Sequence, residues 1–149
     1  MAAMMIEPIH GNCCSIMTSV AYVQLACALC TRCGVMLIID EVKSGFRVGK
    51  GGIQGIMRVV PDITTFAKAM GNGYPIAVVS GRQDVMRTFR NGGAAHGGTY
   101  TAHSVSRAAS EEYLRTLDET PALETISNYG TRLMAGISDI LKARHIVHS

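Results

Sequence analysis

The stretch VMLIIDEVKSGFRVGKGGIQGIMRVVPDITTFAKAMGNGYP, from Val35 to Pro75, decides how this chain is read. It opens on Val35-Met36-Leu37-Ile38-Ile39, an apolar run too short for a helix, which predicts a fully buried strand. That strand ends on two carboxylates, Asp40 and Glu41. Ile63-Thr64-Thr65-Phe66-Ala67 is a second β-rich segment, ending on Lys68 and the turn cluster Gly71-Asn72-Gly73-Tyr74-Pro75. In open α/β sheets ligands bind outside the carboxyl ends of the strands, so an acid and an amine at two such ends can be aimed at one ligand. Most lysines are solvated surface charges. Lys68 differs in following an apolar strand and preceding a glycine turn.

An amine and a carboxylate in that arrangement suit pyridoxal phosphate, which takes a lysine for its Schiff base and an acid facing its pyridine nitrogen. The freed lysine can then move a proton at the substrate's Cα. Three ordered segments, IIDEVKSGFRVGKGGIQ, PDITTFAKAMGNGYP and HGGTYTAHSVSRAA, resemble the class III aminotransferases, most closely the branch containing glutamate-1-semialdehyde aminomutase. The resemblance covers nearly the whole chain. It implies an α/β fold: part of the large domain of a fold-type I pyridoxal-phosphate-dependent transferase, with a mixed, mostly parallel sheet flanked by helices. It implies Lys68 as the Schiff-base lysine, Asp40 as partner of the pyridine nitrogen, and Val42 packed on the ring. Thr99 would bind the cofactor phosphate of the neighbouring subunit in a homodimer. At position 43 the family usually has Gln or Met near the ring hydroxyl; here it is Lys43. The loop His10-Gly11-Asn12-Cys13-Cys14 also departs from the family pattern.

The resemblance further implies a fragment. The family's phosphate-cupping loop and ring-stacking aromatic would lie upstream of Met1, and a small C-terminal domain would be completed beyond Ser149. Residues 1–119 then read as a partial cofactor-binding large domain, and 120–149 as a long helix leading to the small domain. The implied activity is amino-group transfer between an amine donor and a carbonyl acceptor. The alternatives are the aminomutase, which returns the amino group to the same carbon skeleton, and a non-catalytic remnant.

Composition agrees with a globular domain: 149 residues, 48% of them apolar. A net charge of +3 without a basic cluster interleaved with aromatics argues against a nucleic-acid partner. MAAMMIEPIH has no basic n-region of a signal peptide, and no apolar run reaches membrane-spanning length, so a soluble cytoplasmic protein is expected.

Two rival motifs fail. Cys27, Cys30 and Cys33 form a CxxCxxC run, but the fourth ferredoxin-type position holds Leu37, and a zinc site would need Cys13 or Cys14 to fold back. Cysteine as a small core residue is the simpler reading, with no metal and reduced thiols. An apolar strand ending in Asp-Glu also describes a Walker B strand, but the nearest Walker A candidate, around Gly49-Lys50, has Ser44 and Gly51 where Gly and Ser/Thr belong.

Elsewhere, Ala2 to Ile6 predicts a strand, and Val20 to Arg32 a largely buried helix. Gly45 to Gly55 predicts a glycine-rich, mobile loop. Ile76 to Ser80 predicts a buried strand, and Gln83 to Arg90 a short helix. The glycine turn His96 to Thr99 precedes a helix from about Ser104 to Asp118, an arrangement that can offer N–H groups to an anion; His96 and His103 are expected to be polar loop residues. Thr120 is expected to cap a last helix starting at Pro121, with Leu123, Ile126, Leu133, Ile137, Ile140 and Leu141 on one face.

Overall fold

The computed structural model describes residues 2–147. Strand β1 (Ala3–Ile6) is followed by a small hairpin, β2 (Ile9–His10) and β3 (Ile16–Met17), and by helix α1 (Val20–Cys33). Strand β4 (Met36–Asp40), helix α2 (Gly52–Met57) and strand β5 (Ile63–Phe66) come next. Lys68–Gly71 forms one 3₁₀ turn ahead of β6 (Val78–Gly81). Helices α3 (Gln83–Arg90), α4 (Ser104–Glu119) and α5 (Ala122–Ala143) complete the described chain. The main sheet has the order β1-β4-β5-β6, with β1, β4 and β5 parallel and β6 antiparallel to β5.

The chain steps across the sheet in one direction, β1 to β4 to β5, through α1 and then α2. Right-handed crossovers taken in one direction place both helices on the same face. Leu37 and Ile39 of β4 point to that face and are sealed against Ile6, Val23, Ala26, Cys30, Ile53 and Met57. Their neighbours Met36, Ile38 and Asp40 point the other way and are only half-buried. The expected fully buried strand is therefore buried on one face, because a single helical layer covers it. The same asymmetry corrects the reading of α1, whose buried residues are Val23, Ala26 and Cys30, while Tyr22 and Leu25 are exposed.

Local signals explain the limits of α1. Ser19 accepts a hydrogen bond from the Tyr22 N–H at 3.2 Å, and Gly34 takes the left-handed φ of 64° that ends the helix, with Val35 N–H donating to Cys30 O. At the amino end of the sheet Asp62 joins three strands. It accepts from Leu37 N–H at 2.8 Å and from Arg82 at 2.6 Å, and its carbonyl accepts from Arg82 N–H.

Three further expectations shift. The expected buried strand from Ile76 is β6, two residues later, with Val78 and Val79 half-buried and Ser80 and Gly81 exposed. Thr120 does not cap α5: its hydroxyl donates back to Thr116 O at 2.6 Å, closing α4, and Pro121 holds the cap position. On α5 Leu123 and Leu141 are half-buried, but Ile126, Leu133, Ile137 and Ile140 are exposed, and no described residue of the helix is fully buried.

Candidate active site

Parallel pairing puts the carboxyl ends of β4 and β5 side by side, with Asp40 in register with Thr65. Lys68 follows three residues beyond Thr65, so both predicted residues lie at the same end of the sheet. Asp40 is half-buried, and its Oδ1 accepts from Val42 N–H at 2.8 Å and from the Thr65 hydroxyl at 3.2 Å. These two bonds fix the carboxylate and leave Oδ2 without a partner among the described residues. Val42, half-buried, is positioned by the first of them.

Lys68 is exposed, and its amine makes no hydrogen bond or ion pair among the described residues. Its backbone lies at φ 45°, a left-handed conformation uncommon outside glycine. Such strained residues cluster at functional sites. The side chain lines two adjoining depressions. One, of about 480 Å³, is shared with Lys43, Ser44 and Arg47; the other, of about 450 Å³, with Arg47, Tyr74, Pro75 and Ile76.

The two adjacent acids separate completely. Glu41 is 0% exposed, and its carboxylate accepts from the Ser44 hydroxyl at 2.7 Å, Ile53 N–H at 3.0 Å and Gln54 N–H at 2.9 Å. It ties the loop after β4 to the start of α2. Gly52, at φ 63°, passes so close that a Cβ there would lie 2.7 Å from the Glu41 carboxyl carbon. Residues 45–55, expected as a mobile loop, are thus held from inside and partly helical. The Phe46 and Phe66 rings pack at 5.3 Å, the Tyr113 hydroxyl donates to Phe46 O at 3.2 Å, and Lys50 pairs with Asp118 at 2.7 Å. The sequence signal for the Glu41 clamp was the pair of glycines, Gly51 and Gly52, opening α2.

Thr99 is exposed and lines a separate cleft of about 630 Å³ with Pro75, Ile76, His96, Tyr100 and Arg107. Neither Asp40 nor Lys68 lines that cleft; Pro75 and Ile76 form the boundary with the Lys68 depression. His103 is more than a loop residue: its Nδ1 accepts from Ser106 N–H at 3.3 Å and caps α4. Sequence inspection passed over it because histidine is not among the favoured capping residues.

The cysteines are dispersed by environment. Cys30 is buried, and burial pushes its thiol pKa up; Cys13, Cys14 and Cys33 are exposed, and all five are free. Among the described residues no group of three or more His, Cys, Asp or Glu side chains could hold a metal ion, and no helix is long and apolar enough to cross a membrane.

A mostly parallel α/β sheet with an acid and a lysine at adjacent strand ends is the architecture of a cofactor-binding enzyme domain. The chain belongs to the class-III aminotransferase family, whose profile matches residues 1–149. It is 38% identical over 141 residues to the glutamate-1-semialdehyde 2,1-aminomutase of Pyrobaculum aerophilum, covering 94% of this chain and 33% of that protein. It is also 38% identical over 147 residues to a 5-aminovalerate aminotransferase of Pseudomonas aeruginosa, covering 98% of this chain and 34% of the relative. Among solved structures, an omega-transaminase from Sphaerobacter thermophilus superposes with a TM-score of 0.86 at 33% identity, over 95% of this chain and 33% of its own. A transaminase with PLP bound gives a TM-score of 0.88 at 29% identity, over 96% and 34%. The chain therefore spans about a third of the length of the proteins it matches.

Proposed function

We propose that this chain supplies the lysine and aspartate of a pyridoxal-phosphate site in an enzyme that moves an amino group between an amine donor and a carbonyl acceptor. The observation that carries this reading is the common location at the carboxyl end of the sheet: a fixed carboxylate with one unengaged oxygen at the end of β4, and, just past the end of the paired strand β5, a lysine with an unengaged amine. The residues fit the cofactor's two requirements, an amine to hold it and an acid to face its ring nitrogen. When bound, the cofactor supplies an electron sink for the bond broken at the substrate's Cα.

The protein's own part is binding, orientation and proton movement. Asp40, held by Val42 N–H and the Thr65 hydroxyl, would face the ring nitrogen. Val42, two residues beyond Asp40, would pack on the ring. Lys68 would hold the cofactor and supply the amine that moves a proton at the substrate's Cα. Thr99 serves the phosphate of a second copy, a role in keeping with its cleft being separate from Lys68 in one chain. Residues 1–119 form the cofactor-binding part; the exposed apolar residues of α5 support assigning 120–149 to the approach to another domain. Five free thiols, three of them exposed, favour a reducing cytoplasmic setting. The similarity to an aminomutase at the same 38% identity supports intramolecular amino transfer as the second reading.

The test is site-directed trapping. Pyridoxal phosphate is added to the chain, fixed with borohydride, and located by peptide mass spectrometry. Label at Lys68, lost in Lys68→Ala and reduced in Asp40→Ala, is expected. Equal labelling of surface lysines, unaffected by Lys68→Ala, refutes the assignment.

A further inference from the structure

The hairpin between β2 and β3 sets two cysteines side by side in a tight loop. Gly11, Asn12, Cys13, Cys14 and Ser15 connect the strands, and the Cys13 and Cys14 side chains are both exposed. Neither thiol has a hydrogen-bond partner among the described residues. The other cysteines are situated differently. Cys27 Sγ donates to Val60 O at 3.8 Å, and Cys30 is buried with its sulfur 3.9 Å from Met4 Sδ. Cys33 is exposed, but the thiol one turn before it on α1 is the buried Cys30. Reversible thiol oxidation needs an accessible sulfur to be oxidised and a second thiol beside it to resolve the product. Adjacent Cys13 and Cys14 supply both.

The loop is tightly held. Cys13 N–H donates to His10 O at 2.9 Å, and Ile16 N–H donates to Cys13 O at 3.2 Å. Cys14 and Ser15 lie at φ 55° and 58°, consecutive left-handed positions uncommon outside glycine. The peptide joining the two cysteines is trans, so their Cα atoms are about 3.8 Å apart, short of the roughly 4.4–6.8 Å usual across a disulfide. Exposed side chains change rotamer freely, so the two sulfurs can meet, but closing the ring requires the backbone around Cys13 and Cys14 to shift. That shift has a short path to Lys68. Gly11 and Ser15 form part of the wall of the depression of about 480 Å³ that Lys68 lines. Asn12 Oδ1 accepts from the Lys43 ammonium, and the Lys43 stem lies across Gly11.

We propose that Cys13 and Cys14 are a reversible oxidation site, closed to a disulfide by a peroxide, and that closure reshapes the wall of the depression that Lys68 lines. Peroxide transfers one oxygen to the first sulfur, giving S–OH, and its other oxygen leaves as water. The second sulfur attacks the first, the S–S bond forms, and the hydroxyl departs with the second thiol's proton as another water. Two electrons pass from the pair of thiols to the peroxide, and an external dithiol returns them by exchange. The short Cα spacing makes such a disulfide easily reduced. That suits a transient, sensing bond in a protein whose resting thiols are free. Neither step involves the cofactor.

The test treats the reduced chain with equimolar hydrogen peroxide in the presence of dimedone, which traps S–OH, and maps the peptides by mass spectrometry. The peptide carrying Cys13 and Cys14 is expected to lose two hydrogens and hold little dimedone, while Cys33 is labelled. Dithiothreitol restores the original mass. Cys13→Ser and Cys14→Ser each shift dimedone to the remaining cysteine, and Cys33→Ser leaves the pair unchanged. The parent chain alone decides this point, whatever the serine variants do to folding. The second readout is lysine acetylation by N-hydroxysuccinimidyl acetate, compared between reduced and oxidised protein. Lys43, released from Asn12, is expected to acetylate about two- to tenfold faster after oxidation, the scale of one hydrogen bond, with exposed Lys142 unchanged. Retention of both hydrogens, dimedone on Cys13 or Cys14 of the parent to the extent seen at Cys33, or a disulfide from either to a different cysteine overturns the pair. A closed pair with Lys43 and Lys68 acetylated at unchanged rates overturns its link to the depression.

Discussion

Replacing Glu41 with Gln tests whether the second acid of the Asp-Glu pair is structural. In the folded chain Oε2 accepts from Ser44 Oγ and Ile53 N–H, and Oε1 accepts from Gln54 N–H. Glutamine has one oxygen. Placed at the Oε2 position, it keeps two bonds and turns an NH₂ toward the Gln54 N–H. One charge-assisted hydrogen bond is lost, worth about 1.5–3 kcal/mol, and a buried donor is left unsatisfied at a cost of about 1–3 kcal/mol. The two costs overlap, so the expected destabilisation is about 2–4 kcal/mol. At about 2–4 °C per kcal/mol for a domain of this size, the melting midpoint falls by roughly 5–15 °C. The assay is urea unfolding followed by circular dichroism, with borohydride trapping at Lys68 run on the same samples below the transition. Trapping is expected to persist, because Glu41 does not touch the Lys68 depressions. A stability within about 0.5 kcal/mol of the parent, the range of an ordinary surface substitution, refutes the buried clamp.

Gly52→Ala strains a φ of 63° and drives a Cβ into the Glu41 carboxylate, so a loss of about 1–3 kcal/mol is expected; an unchanged urea midpoint counts against the packing described. Asp84 is held at about 2 by its hydrogen bond from Arg82, below its ordinary 3.8. The folded form is therefore favoured by this group above about pH 4, and the benefit is lost as pH falls through about 2. A carbon-detected NMR titration is expected to place its midpoint near 2 and to return it toward 3.8 in Arg82→Ala; no movement in that variant defeats the pairing. Cys30, buried and with its pKa raised, should alkylate far more slowly than Cys13, Cys14 and Cys33 in native protein at pH 8, and mass mapping that finds comparable rates would contradict its burial.

Much of the local structure was legible from residues alone. The strand ending at Asp40 follows from a short apolar run, the strand before Lys68 from its β-rich segment, and the end of helix Gln83–Arg90 from the glycines after it, signals that act within a few residues. The placement of an acid and a lysine at strand ends was legible too, because the end of a strand is a local event. What needed the tertiary structure was which face is covered. Asp40 and Glu41 are adjacent and chemically alike, yet one is left open at the sheet end and the other is sealed under α2. Successive side chains at a strand end diverge, and only the path of the chain after β4 decides which of them meets backbone N–H groups. For the same reason the apolar stripe of α5 was visible as a period, but its exposure was not. Periodicity fixes which residues share a face; the crossovers and neighbouring layers determine whether anything lies against it.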